Sequence, residues 1–154
     1  MKDTKKALIW IVGILDSKKI KFRIAGGLAA NIYGSKRELA DIDIDISDDR
    51  FDELLANVKD KIIFGPKRYK DENWDLFMAT LEYEEQDIDI CAAGSEIIFN
   101  QNSKQWEKLS IDLTDTVKKL YMGVSLSVIK LKDLINYKSK ILREVDKEDI
   151  IALA

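Results

Sequence analysis

The sequence predicts a mixed α/β (α+β) fold in which a central β-sheet is flanked by helices. Acid and isoleucine alternate strictly from Asp41 to Ile46, which predicts a strand with acids on one face. The pattern returns at 87–90, and the apolar spacing over 131–142 predicts an amphipathic helix. Helix and strand patterns mix throughout and no linker or repeat divides them, so we expect one domain over 1–154.

The remaining elements follow from local patterns. A buried first helix is expected over 7–15, capped near Asp3 or Thr4, followed by a strand at 22–25 that runs into Gly26-Gly27. The other expected elements are helices at 28–33, 49–58 and 146–153, strands at 62–64, 74–83, 88–91 and 124–128, a turn at 65–66 and a loop at 100–104.

Composition excludes several kinds of chemistry. The chain has no histidine, which excludes histidine general bases and most zinc sites, and its single cysteine, Cys91, excludes an internal disulfide. A cytoplasmic protein is therefore expected. The apolar run 7–15 is too short to cross a bilayer and no cleavage site follows it, so no membrane association is expected.

Charge is distributed unevenly although the net charge is only -3. Residues 38–60 carry nine acids against Arg50 and Lys59, and residues 118–143 carry seven bases against Asp133. An acidic patch for a metal beside a basic patch for phosphate would suit a nucleotide site. Two solvated faces of opposite sign explain the charge equally well.

The acids of the alternating segments form a candidate metal site. Aspartates are depleted in strands, and carboxylates on one strand face repel each other unless solvent or a cation neutralises them. Mg²⁺ prefers such oxygen ligands. If the two strands are neighbours, Asp89 meets Asp41 and Asp43, and this cluster can hold two Mg²⁺ ions for phosphoryl or nucleotidyl transfer. Asp89 could then take the proton of the nucleophile, although two acidic strand faces exposed to solvent would show the same pattern.

Two further features are ambiguous by themselves. Gly26-Gly27 between a strand and a helix could bind phosphate through backbone N–H groups, but such turns are common. Lys138 shares the apolar face of the helix over 131–142. It is either a snorkelling side chain at the edge of the core or a positive charge directed at a triphosphate.

Taken together, these motifs resemble the DNA polymerase β-like nucleotidyltransferase superfamily. The similarity is carried by Gly26-Gly27-Leu28-Ala29-Ala30, then Gly34, Arg37 and Asp41-Ile42-Asp43-Ile44, with an acid on a later strand. It is closest to the small single-domain branch that contains lincosamide and aminoglycoside nucleotidyltransferases and AbiEii-type toxin-like proteins. The segment 131–138 is similar to the C-terminal helix of that branch. Leu39 departs from the pattern, because a threonine usually stands there.

The resemblance implies a nucleotidyltransferase fold and assigns roles to single residues. Asp41, Asp43 and Asp89 would be the catalytic and metal-binding acids, with Asp87 left open as an alternative third acid. Gly26, Gly27, Arg37 and Lys138 would bind the nucleotide, and Asp45 would be accessory.

The expected activity is Mg²⁺-dependent transfer of NMP from an NTP, with ATP the expected donor, to a hydroxyl. The acceptor could be a small molecule, a protein or a tRNA end. The alternative is a catalytically inactive protein of the same fold that binds a nucleotide or a partner. The sequence leaves the oligomeric state open, a homodimer included.

Overall fold

The two acidic segments form neighbouring strands of one sheet in the computed structural model, which describes residues 1–154. The five α-helices are α1 (Thr4–Ser17), α2 (Gly26–Ile32), α3 (Asp48–Asn57), α4 (Leu131–Ile141) and α5 (Glu144–Leu153). The nine strands are β1 (Phe22–Ala25), β2 (Ile42–Ile46), β3 (Ile62–Lys70), β4 (Trp74–Tyr83), β5 (Gln86–Ala92), β6 (Ile97–Asn100), β7 (Gln105–Lys108), β8 (Thr116–Tyr121) and β9 (Val124–Ile129). No helix has the length and apolar character needed to span a bilayer.

The sheet is mixed and runs in the order β7-β6-β4-β5-β2-β1-β9-β8, with β3 paired to β4. At its centre, β2 is antiparallel to β1 and parallel to β5, and β5 is antiparallel to β4. The predicted class, a mixed sheet flanked by helices, is confirmed. The register places the acidic segment of β2 directly beside that of β5.

The isoleucines of β2 and β5 form the centre of the core. Ile42, Ile44, Ile46, Ile88 and Ile90 are fully buried and pack in one cluster with apolar residues of α1 and α3. Burying one such side chain contributes about 1.5–3 kcal/mol. A slip of one residue would move the acids into this core, so burial of the isoleucines determines which face the acids occupy.

The opposite face of the sheet is partly covered by α4 and α5. These helices pack against each other, and α4 also contacts α2 and β6. Tyr137 and Lys138 of α4 and Arg143 at the start of α5 line the same cleft as the acids of β2 and β5. The helices therefore supply the cations that face the acidic strands.

Strand prediction fails at the edges of the sheet. β3 extends to Lys70 instead of ending near Phe64, because β4 continues to pair with it beyond Pro66. Proline is tolerated there since only one side of β3 is paired. β8 was not predicted because Lys118 and Lys119 interrupt its apolar pattern, and charged residues are typical of edge strands. Residues 97–100 and 105–108 form a hairpin around the expected loop.

Candidate active site

Sheet register aligns the candidate catalytic acids in one row. Asp43 of β2 is the partner of Asp89 on β5, and Asp89 is the partner of Thr80 on β4. Residues paired in register point to the same face, so the carboxylates of Asp43 and Asp89 are neighbours on that face. The hydroxyl of Thr80 donates a hydrogen bond to Oδ1 of Asp89 at 2.7 Å. Asp41 lies two residues before Asp43 and lines the same cleft.

Burial and neighbouring carboxylates raise the pKa of the acids in and beside this row. Burial, followed by the charges of Asp89 and Asp41, raises the pKa of Asp43 well above its ordinary value. Burial also raises the pKa of Asp89 to about 6, against a lowering contribution from the Thr80 hydroxyl. The pKa of Asp41 is raised by burial and by Asp87. The protein therefore does not fully compensate negative charge at these three carboxylates.

Asp45, the third acid of β2, has its own counter-ion. Nη2 and Nε of Arg23 lie 2.9 and 3.0 Å from Oδ2 of Asp45, and both side chains are largely buried. No comparable ion pair neutralises Asp41, Asp43 or Asp89. Among the three acids of β2, Asp45 is the one with a direct arginine counter-ion.

A second group of polar side chains lies next to Asp45. Ligand atoms of Asp45, Cys91 and Glu96 are all within 4.8 Å of one another. Burial and the charge of Asp45 raise the pKa of Glu96 well above its ordinary value, and burial raises that of the Cys91 thiol. Sequence analysis did not single out Glu96, because it follows β5 at no distinctive spacing. Cys91 has the buried thiol expected of an inert cysteine.

Gly26 makes room for Asp43. β1 ends at Ala25, the register partner of Asp43, and α2 starts at Gly26, which has a positive φ of 60°. A Cβ atom at Gly26 would lie 2.0 Å from Oδ2 of Asp43. A Cβ atom at Gly27 would meet Nη2 of Arg37 at 3.3 Å. The double glycine therefore allows the turn to approach the row of Asp43 and Asp89 closely.

Lys138 lies in a buried ionic network. Its Nζ is 2.9 Å from Oδ2 of Asp149 and 3.2 Å from Oδ1 of Asp146, and only 1% of the side chain is exposed. Arg37 also binds Asp149, with Nη2 2.7 Å from Oδ2. Despite burial, hydrogen bonds from Arg37, Lys138 and Ser35 lower the pKa of Asp149 to about 2. Both cations predicted to bind the nucleotide thus have carboxylate partners within the protein.

Arg143 is a more accessible cation beside the acids. Its side chain is 39% exposed, it binds Asp146 through Nε at 2.8 Å, and its guanidinium lies 4.7 Å from the ring centre of Trp74. The indole N–H of Trp74 donates to the hydroxyl of Tyr137 at 2.6 Å. The charge of Arg143 offsets a small part of the rise in the pKa of Asp43. In the sequence, Arg143 lies in the basic segment 118–143 and, with Asp146 and Asp149, extends the similarity to the nucleotidyltransferase branch. No role was predicted for it, because its neighbours in space are distant in the chain.

The candidate acids, the glycine turn, Lys138 and Arg143 line one open cleft of about 550 Å³. Asp41, Asp43, Asp87 and Asp89 lie on its sheet face, with Gly26-Gly27 and Arg143 among its other lining residues. Strand β3 contributes Ile63, Phe64 and Tyr69 to the same cleft. Of the residues predicted from sequence, Arg37 alone lies outside this lining.

Comparison with solved structures identifies the architecture. A Thermotoga maritima protein, assigned provisionally as a nucleotidyltransferase, superposes with a TM-score of 0.73 at 19% identity and covers 98% of this chain and 92% of its own. The lincosamide antibiotic adenylyltransferase LnuA superposes with a TM-score of 0.64 at 20% identity, and the match covers 99% of this chain and 98% of LnuA. The antibiotic-resistance factor ANT(2'')-Ia superposes with a TM-score of 0.61 at 19% identity, and the match covers 99% of this chain and 82% of ANT(2'')-Ia. The chain has a nucleotidyltransferase fold.

The nucleotidyltransferase fold confirms the architecture that the sequence motifs implied. The likeness extends over nearly the whole chain, well beyond the short motif segments. A scan of protein-family models and a search of curated proteins found no match to this chain.

Proposed function

We propose that this protein is a nucleotidyltransferase that moves NMP from an NTP to a hydroxyl acceptor. The row formed by Asp43, Asp89 and Thr80, with Asp41 beside it in an open cleft, carries this proposal. The solved structures that share the fold include one named as an adenylyltransferase and one in complex with adenylyl-2''-tobramycin, which supports ATP as the donor.

The three acids of the cleft are suited to binding a divalent metal ion. Asp41, Asp43 and Asp89 offer hard oxygen donors, and no arginine or lysine pairs with them directly. Burial, together with neighbouring carboxylates, raises their pKa values. These three residues would hold Mg²⁺, and two ions are expected from the number of carboxylates. When bound, Mg²⁺ would supply positive charge that stabilises the phosphates and the departing pyrophosphate.

Side chains and backbone of the protein would accept the proton of the acceptor hydroxyl and bind the phosphates of the NTP. We infer that Asp89 accepts the proton of the acceptor hydroxyl, with Thr80 orienting its carboxylate. The hydroxyl oxygen forms a bond to the α-phosphorus, and the bond between the α-phosphorus and the bridging oxygen to the β-phosphate breaks. Pyrophosphate then leaves. Arg143 and the backbone at Gly26-Gly27 would bind the phosphates, whereas Lys138 would hold the helix pair that presents Arg143.

Pyrophosphate release tests the proposal directly. We expect the protein to release pyrophosphate from ATP and transfer labelled AMP to an acceptor when Mg²⁺ is present, and to do neither with EDTA. The acceptor panel should contain hydroxyl-bearing antibiotics, proteins and RNA. ATP binding without pyrophosphate release across the whole panel would instead identify a protein that retains only nucleotide binding.

Substitution of Gly26 by alanine should reduce transfer strongly. The added Cβ would overlap Oδ2 of Asp43, and a non-glycine residue at this positive φ costs about 1–2 kcal/mol. We expect pyrophosphate release to fall by roughly 10²-fold, because catalysis depends on the position of this carboxylate. Gly13→Ala is the matched control, since no atom lies within 4 Å of a Cβ placed at this exposed helical position. Equal activity of the two variants would contradict the role assigned to the glycine turn.

A further inference from the structure

Arg37 packs against the glycine turn from outside the cleft. A Cβ atom at Gly27 would lie 3.3 Å from Nη2 and 3.8 Å from Nη1 of Arg37, and 3.6 Å from Cδ1 of Leu39. Gly27 lines the cleft, whereas Arg37 and Leu39 do not. The loop between α2 and β2 therefore supports the turn on the side that faces away from the proposed nucleotide.

The guanidinium of Arg37 is held in place by a carboxylate of α5. Its Nε lies 3.1 Å from Oδ1 of Asp149 and its Nη2 lies 2.7 Å from Oδ2. The hydroxyl of Ser35 donates a further hydrogen bond to Oδ1 at 2.8 Å, and Asp149 is fully buried. A bidentate arginine–carboxylate pair fixes both the distance and the orientation of the guanidinium. The position of Arg37 thus depends on the docking of α5.

The backbone of Arg37 is fixed as well. Nδ2 of Asn31 donates to the carbonyl oxygen of Arg37 at 2.8 Å and to that of Ser35 at 3.0 Å. Asn31 belongs to α2, the helix that begins at Gly26. Arg37 is therefore held by α2 at its backbone and by α5 at its guanidinium, which makes it a rigid support for the turn.

Building on the proposed function, we propose that Arg37 is a positioning residue that, together with Asp149, fixes the glycine turn beside Asp43. This role replaces the nucleotide contact that the family resemblance implied for Arg37. Displacement of the turn would disturb the cleft at once, because a Cβ atom at Gly26 would lie only 2.0 Å from Oδ2 of Asp43. Helix α5 then determines the geometry of the cleft, although none of its residues 144–153 lines it.

Lys138 binds the same carboxylate but has a different role in this proposal. Its Nζ lies 2.9 Å from Oδ2 of Asp149, yet the three atoms nearest to a Cβ at Gly27 belong to Arg37 and Leu39. Loss of Lys138 would leave the hydrogen bonds from Arg37 and Ser35 to Asp149 in place. Lys138 therefore contributes stability, and Arg37 sets the position of the turn.

A double-mutant cycle distinguishes positioning from contact with the nucleotide. The probe is ATP with Mg²⁺, and its Kd is measured by calorimetry well below the Tm of each variant. We expect Arg37→Gln and Asp149→Asn each to weaken binding about tenfold, and the double variant to be no weaker than the poorer single variant, because both break one pair. Weaker binding by Arg37→Gln alone, with unchanged or tighter binding by Asp149→Asn, would show that the guanidinium contacts phosphate and would overturn the proposal.

Conservative variants test whether the fork geometry or the charge of Arg37 matters. Arg37→Lys keeps the charge but cannot make the bidentate pair, so we expect it to bind ATP as weakly as Arg37→Gln. Wild-type affinity of Arg37→Lys would overturn the proposal. Ser35→Ala keeps both charges and removes one hydrogen bond to Asp149, and it should weaken ATP binding about threefold. It replaces Asp149→Asn if that variant does not fold.

The turn itself can be observed in the protein without nucleotide. We expect the backbone amide signals of Gly26 and Gly27 in ¹H–¹⁵N NMR spectra to shift in Asp149→Asn, although this variant retains the guanidinium. The matched control is Arg50→Gln with Glu53→Gln, which removes a partly exposed arginine–carboxylate pair from α3 and should change neither these signals nor the Kd for ATP.

Unchanged glycine signals in Asp149→Asn, together with a lowered Tm, would reduce the pair to a stabilising contact and overturn the proposal. The NMR measurement requires neither nucleotide nor turnover. Absence of pyrophosphate release from the wild type would therefore contradict the proposed nucleotidyl transfer and not the role of Arg37.

Discussion

The Asp43→Asn protein is expected to lose nucleotidyl transfer by about 10²–10³-fold or more, the range found when a group that stabilises transition-state charge is removed. Asp43 is the register partner of Asp89, and its carboxylate faces the glycine turn at Gly26. The measurement is the rate of pyrophosphate release at saturating ATP and Mg²⁺.

The same substitution should not destabilise the protein. The raised pKa of Asp43 means that its charged form is disfavoured in the folded state, so a neutral amide removes repulsion from Asp89 and Asp41. We expect Tm to stay the same or rise, as is common when a strained functional group is removed. Asp52→Asn, at an exposed position of α3, is the control for charge alone. A stable variant with full activity would contradict the assignment of Asp43.

Lys138→Met is expected to lower the free energy of unfolding by about 3–5 kcal/mol, the usual cost of removing one partner from a buried ion pair. Methionine matches the length of lysine but leaves Asp146 and Asp149 facing each other with only their arginine partners. Thermal or urea unfolding measures the change, and a Tm decrease of about 10 °C or more is expected for a chain of this size.

This variant also separates the two interpretations of Lys138 from the sequence. Lys132→Met removes a lysine from an exposed position of the same helix and should change Tm little. If Lys138→Met kept the stability of the wild type but bound ATP more weakly, the lysine would contact the nucleotide. Loss of stability with unchanged ATP affinity at low temperature would assign it to the ionic network.

The local pattern around β2 and β5 was sufficient to predict their strands and faces. Alternation with a period of two places every isoleucine of 42–46 and 88–90 on the face opposite the acids, whatever else the chain does. Burial of those isoleucines then leaves one arrangement for the aspartates. The fold prediction for the chain as a whole depended in addition on the order of short motifs.

Partners distant in sequence could not be predicted in the same way. Arg37 and Asp149 are 112 residues apart, and neither residue type nor spacing indicates that they form an ion pair. Trp74 and Tyr137, which adjoin Arg143, are 63 residues apart. The outer half of β3, with Tyr69 in the wall of the cleft, was missed for a related reason, because the sequence pattern ended this strand at residue 64.

The sequence by itself determined that two acidic strand faces exist, and that a double glycine precedes the first of them, because these features depend only on residue type and local periodicity. Only the tertiary structure decided that Asp43 and Asp89 share one row, that Arg23 neutralises Asp45, and that Lys138 is buried between carboxylates. Strand pairing and helix packing set those contacts. They depend on the free energy of the whole core, which no local pattern contains.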